Sequence, residues 1–117
     1  MKKNILKEKS YAFALRITNL SQYLHQTKHE YVLSRKILDT GTNIGLFIEE
    51  GKQGLGHDDF RLKYSVANKE AFKTNFLLRL LRDAKFIDDR QAESLINDCE
   101  ELQKMLIATL KTTKKEE

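Results

Sequence analysis

Apolar residues recur every three to four positions in four separate stretches of the chain, parted by polar or glycine-bearing segments. In the first stretch Phe13, Ile17, Leu20 and Leu24 fall at i, i+4, i+7 and i+11, the spacing that draws one stripe down an α-helix. Ser10 is placed to cap its start, and the pattern predicts a helix over 10–26. The second stretch opens on Thr27-Lys28-His29-Glu30, which reads as a capping box, the hydroxyl holding the first turn and the glutamate reaching back. Its stripe of Leu33, Ile37, Ile44 and Ile48 predicts a helix over 28–50, stopped by Gly51. A third helix is predicted over 58–85, with Phe60, Tyr64, Ala67, Ala71, Leu78 and Leu81 facing a core. The fourth, over 89–112, starts after Asp88, with Gln91 completing a second capping box, and carries Leu95, Cys99, Leu102 and Leu106.

No proline interrupts these segments, so nothing forces a helix to break. Period-two alternation is absent, which argues against a sheet. Short connections make successive helices antiparallel neighbours, so the expected fold is all-α, an antiparallel up-down-up-down four-helix bundle in one domain over 1–117. The glycine-rich stretch from Gly51 to His57 reads as a flexible crossover. It lacks the Gly-x-x-x-x-Gly-Lys-Ser/Thr order of a phosphate loop and no strand precedes it. Residues 113–117 have nothing to bury and are expected to form a disordered tail.

A chain of 117 residues can bury one core. The sole cysteine, Cys99, sits in Asn97-Asp98-Cys99-Glu100-Glu101, without the nearby cations that activate a thiol, and reads as a small core residue of a reduced, cytoplasmic protein. The basic start of the chain is interrupted at Glu8 and Lys9 before any apolar run develops, which argues against a secretory signal. No stretch has the roughly 18 apolar residues of a membrane span. The formal charge of +4 is unevenly spread: residues 1–85 carry 16 lysines and arginines against 9 acids, whereas 86–110 carry 2 against 6. An acidic fourth helix beside a basic remainder suits either an anionic partner or head-to-tail contact between copies.

Three features stand out as candidates for function. Gly41 and Gly45 share one face of helix two, and since each costs about 1 kcal/mol relative to alanine, close approach of another helix is the expected compensation. Helix three is apolar on more faces than one core needs, with Leu62, Val66, Phe72, Phe76, Leu77 and Leu80 off the main stripe; Phe72 and Phe76 above all, together with Leu62, Val66 and Phe47 of helix two, mark a subunit interface. Arg35, Lys36, Lys52, Arg61, Lys63, Lys69 and Lys73 are the candidates for contact with nucleic-acid phosphates. Arg79, Arg82 and Lys85 have a competing role at the negative end of helix three. Glu49, Glu50 and Glu70 are candidates for partial burial, paired with Arg35 or a lysine. His25, His29 and His57 lie at helix ends or in loops, and none follows a glutamate by three, so no di-iron site is expected. Nor is a cofactor site or an activated nucleophile, and the chain does not read as an enzyme.

The strings Lys9-Ser10-Tyr11-Ala12-Phe13-Ala14-Leu15-Arg16-Ile17, Thr40-Gly41-Thr42-Asn43-Ile44-Gly45, Ile48-Glu49-Glu50, Ala67-Asn68-Lys69-Glu70-Ala71 and Asp98-Cys99-Glu100-Glu101-Leu102 together resemble the bacterial four helix bundle protein family, encoded within intervening sequences of 23S ribosomal RNA genes and elsewhere. The resemblance spans nearly the whole chain. It implies a four-helix protomer that assembles into a homo-oligomeric ring, a pentamer, with a proposed link to RNA. The accessory protein of diversity-generating retroelements is similar in being a basic ring that binds nucleic acid. Asp39, Leu46-Phe47 and Asn75 depart from the family pattern. Asp39 argues against a polyanion in the groove beside Gly41, and Phe47 favours packing or assembly. The expected function is therefore a non-enzymatic ring that binds RNA or DNA through charges summed over its subunits. The alternative is a scaffold whose protein partner docks on the acidic fourth helix.

Overall fold

The structure, a computed structural model, describes residues 4–114, and among them it contains four α-helices and no strand. Helix α1 spans Ile5–Gln26, α2 Leu33–Lys52, α3 His57–Asp83 and α4 Asp89–Thr112. α1 packs on α2, α2 on α3 and α3 on α4, while α4 closes back on α1; the backbones of diagonal helices do not approach closely. With only residues 27–32, 53–56 and 84–88 as connections, neighbours run antiparallel and the bundle is up-down-up-down.

The four predicted stripes meet in one core. Phe13, Ile17 and Leu24 of α1, Ile37, Ile44 and Ile48 of α2, Tyr64, Leu78 and Leu81 of α3 and Leu95, Leu102 and Leu106 of α4 are all buried. α4 starts where the capping box places it, with Asp88 Oδ1 accepting from the Gln91 amide at 2.7 Å.

Elsewhere the boundaries differ from the sequence reading, each for a local reason. α1 begins at Ile5 because Asn4 caps it, its Oδ1 accepting from the Lys7 amide at 3.0 Å. Ser10 is a buried mid-helix residue whose hydroxyl donates to the Lys7 carbonyl at 3.0 Å. Thr27 does not open α2 but ends α1, its amide donating to the Tyr23 carbonyl at 2.8 Å. The chain then turns through His29 at φ +55, and Glu30 accepts from the Ser34 amide at 2.8 Å, so the glutamate steadies α2 from outside a helix that starts only at Leu33. Gly51 lies inside α2, where an added Cβ would sit 2.9 Å from the Tyr64 ring; the expected crossover shrinks to residues 53–56, turned by Gly56 at φ +113. Leu77, expected off the core, is buried. Of the expected tail, Thr113 instead caps α4, its hydroxyl 2.7 Å from the Thr109 carbonyl, and 115–117 lie outside the described residues.

The α4–α1 side is the thinnest of the four, and polar contacts brace its outer margin. Arg16 pairs with Asp98 at 2.6 Å and donates to the Ser94 hydroxyl at 3.1 Å, while Lys9 pairs with Glu101 at 3.0 Å. These side chains are a third to a half exposed, so each pair contributes at most about 1 kcal/mol.

Cys99 is buried at the α3–α4 contact, its thiol donating to the Ala71 carbonyl at 3.3 Å. Burial, aided by Glu100 and Asp98, pushes its pKa from 9.0 up to about 12. The folded chain therefore keeps a proton that the unfolded chain releases, so the contribution is complete below pH 9 and is lost as pH climbs towards 12. At pH ~10.5 the expected loss is about 2 kcal/mol. Urea midpoints at pH ~8 and ~10.5 should show this fall, and Cys99→Ala should show a smaller one; buried Tyr64, whose pKa is also raised by desolvation, acts in the same direction in both proteins.

Candidate interaction surfaces

The two helix-two glycines do different work. At Gly41 an added Cβ would lie 2.7 Å from Ile17 Cγ2, so only glycine lets α1 come this close. At Gly45 the nearest atoms are Ser10 O and Oγ at 3.5 Å, an ordinary contact distance. Beyond them on α2, Asn43 and Thr40 reach α3 instead. The Asn43 amide donates to Glu70 Oε1 at 2.9 Å, Lys73 pairs with Glu70 Oε2 at 2.8 Å, and the Thr74 hydroxyl is bonded to that of Thr40 at 2.9 Å. Of the three glutamates for which burial was open, Glu70 is buried. Glu49 and Glu50 are not: both are exposed near the end of α2, paired with Lys7 at 3.7 Å and Lys63 at 3.3 Å.

The seven basic candidates do not form one patch. Arg61 donates to the Leu110 carbonyl at 2.9 Å and so serves the C-terminal end of α4. Lys63 is held by Glu50 and lies 6.0 Å from the centre of the Phe47 ring, and Lys73 is held by Glu70. Arg35 and Lys36 sit in the first turn of α2 and Lys52 in its last, at opposite ends of the bundle. Lys69 stands exposed midway along α3.

Topology gathers a different basic group that reading along the chain missed. Connections 27–32 and 84–88 lie at the same end of the bundle, so Lys28, Lys85 and Arg90 join Arg35 and Lys36 there. All five are exposed and make no ion pair among the described residues. The acids nearby are largely engaged: Glu30 and Asp88 accept from helix amides, and Asp83, its pKa lowered by the bond from Arg82, pairs with that residue at 2.8 Å. Asp89 occupies the first turn of α4, where the helix dipole favours a negative charge. A hollow of about 470 Å³ opens between Tyr23, Lys28, Lys85 and the start of α4. Pairing the loops of an antiparallel bundle end by end was the signal that could have revealed this group.

Two apolar surfaces remain uncovered. On the outward face of α3, Leu62, Phe72 and Phe76 are each more than half exposed and Leu80 somewhat less. Phe72 also walls a groove of about 430 Å³ whose other side is Ile107 of α4. Two residues expected at this interface belong elsewhere. Phe47 is half-buried and packs on the core, and Val66 is half-buried too, because the α2–α3 contact covers that side of the helix. The second surface, which the periodicity did not single out, straddles α1 and α2: Tyr11, 69% exposed, and Leu46, 56% exposed, flank the Ser10–Gly45 contact, with Leu15 one turn beyond Tyr11.

Among the described residues no group of three His, Cys, Asp or Glu side chains could hold a metal ion, and no helix is long and apolar enough to cross a membrane. The sequence profile of the family described as 23S rRNA-intervening sequence protein matches residues 2–108. The chain belongs to that family. A crystal structure of a protein with unknown function from the S23 ribosomal protein family, from Bacteroides thetaiotaomicron VPI-5482, is 42% identical to this chain, covering 95% of it and 99% of its own, with a TM-score of 0.92. No curated protein matches the chain. The family and the all-α bundle expected from the residues are thus established.

Proposed function

We propose that this protein is a non-enzymatic, cytoplasmic bundle that assembles into a ring of identical copies, pentameric if it follows the family pattern, and binds RNA or other nucleic acid through cations summed over those copies. The observation that carries the reading is the group at one end of the bundle, Lys28, Arg35, Lys36, Lys85 and Arg90, exposed and without ion pairs among the described residues. Unpaired cations release counterions from a polyanion, whereas cations already paired to carboxylates contribute little. One copy offers too few such contacts for tight binding. Several copies held in one assembly multiply them without any new contact.

The test is fluorescence anisotropy with mixed-sequence single-stranded RNA at stepped salt concentrations. Binding is expected at low salt, falling with a log–log slope of about −0.7 per phosphate neutralised. Charge reversal at Arg35, Lys36 and Lys85 together should weaken it by at least ~10-fold, while reversal of the engaged Lys63 should change it little. Absent binding at low salt, or binding indifferent to salt, would end the nucleic-acid reading. The competing reading, a scaffold with a protein partner on acidic α4, has less support because Asp98 and Glu101 are taken up by Arg16 and Lys9. A nuclease-resistant partner lost on Glu100→Lys would favour it.

A further inference from the structure

Resting on the self-assembly part of that reading, we infer that copies join head to tail, the outward face of α3 on one copy seating on the α1–α2 face around Tyr11 and Leu46 of the next. The helices follow one another around the bundle in chain order, so the α1–α2 side and the α3–α4 side, where the groove beside Phe72 lies, look in opposite directions. Each face carries large apolar side chains more than half exposed: Leu62, Phe72 and Phe76 on α3, and Tyr11, Leu15 and Leu46 on the other. A protomer with two different adhesive faces on opposed sides forms heterologous contacts, which close into rings or run on as filaments. A protomer with one such face would form an isologous dimer and stop.

Charge decides which face meets which. Between the apolar residues of α3 stand Lys69 and Lys73, with Arg79 lying 5.7 Å from the centre of the Phe76 ring. Lys69 and Arg79 make no ion pair among the described residues, and Lys73 is held by the largely buried Glu70. Two α3 faces laid on each other would oppose cation to cation. The Tyr11 face instead carries Glu8 and Glu49, which line one hollow with Tyr11; Glu8 is exposed and without an ion pair among the described residues, and Glu49 is paired there with Lys7 at 3.7 Å. Opposite charges on opposed faces favour the mixed contact and penalise both self-contacts. The groove between Phe72 and Ile107, about 430 Å³, gives a projecting aromatic side chain such as Tyr11 a place to enter.

Two double variants test this, Phe72→Glu/Phe76→Glu, which spoils the α3 face, and Tyr11→Glu/Leu46→Glu, which spoils the other. Every substituted position is more than half exposed, and helical circular dichroism checks that both variants fold. In sedimentation velocity at tens of micromolar the parent is expected to sediment as a closed oligomer and each variant alone as a monomer. An equimolar mixture should form a one-to-one dimer and nothing larger, because each variant retains the face that the other lacks. If the parent assembles, the α3 variant falls to monomer and the Tyr11 variant still assembles, the contact is isologous and the inference is overturned. It is equally overturned if the parent assembles and both variants do too, although self-assembly then stands. A monomeric parent removes self-assembly itself.

Discussion

Gly41→Val is expected to destabilise the bundle by about 3 kcal/mol, overpacking a site where even the first carbon of a side chain has no room. That carbon would lie within 3 Å of both Cγ atoms of Ile17, a fully buried side chain on the facing helix. Ile17 cannot swing away, because its β-branched χ1 is fixed within a helix and the core encloses it. Gly45→Ala, one turn further, should do the opposite. Its added carbon meets nothing nearer than 3.5 Å, so the gain in helix propensity, about 0.5–1 kcal/mol, emerges as added stability. Urea unfolding of both variants at one fixed protein concentration checks the pair, the fixed concentration being needed because assembly adds to apparent stability. Equal effects of one sign would show that the α1–α2 contact is not built around Gly41. A cycle with Ile17→Ala sharpens the test, since with the clashing Cγ atoms removed Gly41→Ala should cost far less than in the parent.

Asn43→Leu is expected to cost about 2 kcal/mol for a different reason. Asn43 and Lys73 each serve one oxygen of Glu70, which is 7% exposed. Losing Asn43 leaves Oε1 buried without its donor, and the expense of an unmet charged group exceeds the net worth of the bond. Asn43→Leu/Glu70→Met should recover most of the loss, because an apolar pair of similar volume removes the need for partners. Lys73, its side chain 62% exposed, returns to water at little cost. Chemical unfolding of the single and double variants decides it. A double variant no more stable than the single would mean that the two residues are not coupled.

Periodicity alone located the four helices and most of the core, since a stripe of leucines and isoleucines has one low-energy use in water. The boundary between α1 and α2 was misread because one stretch holds two signals. Thr27 and Glu30 have the spacing of a single capping box, yet the threonine ends one helix and the glutamate braces the next. Local pattern cannot say which helix a capping residue serves. Of the candidate surfaces, Phe72 and Phe76 were legible because they fall off the stripe of a helix already rich in apolar residues. Tyr11 and Leu46 were not, since each lies outward on its own helix and only the approach of α2 at Gly45 makes them neighbours. The basic candidates fared worst. Lys63 and Arg61 have the right charge, but their partners, Glu50 and the Leu110 carbonyl, come from other helices that charge counting does not link to them, whereas Lys73 is held by Glu70 one turn away on its own helix, a spacing that was there to read.

The thin α4–α1 side gives the molecule the mechanics of a closed book. Three of its edges are bound along their length by packed side chains, while the fore-edge is latched by Arg16 and Lys9 on the carboxylates of α4. Because such latches lie in solvent, dissolved ions weaken them while leaving the binding untouched, so salt loosens the fore-edge and not the other three.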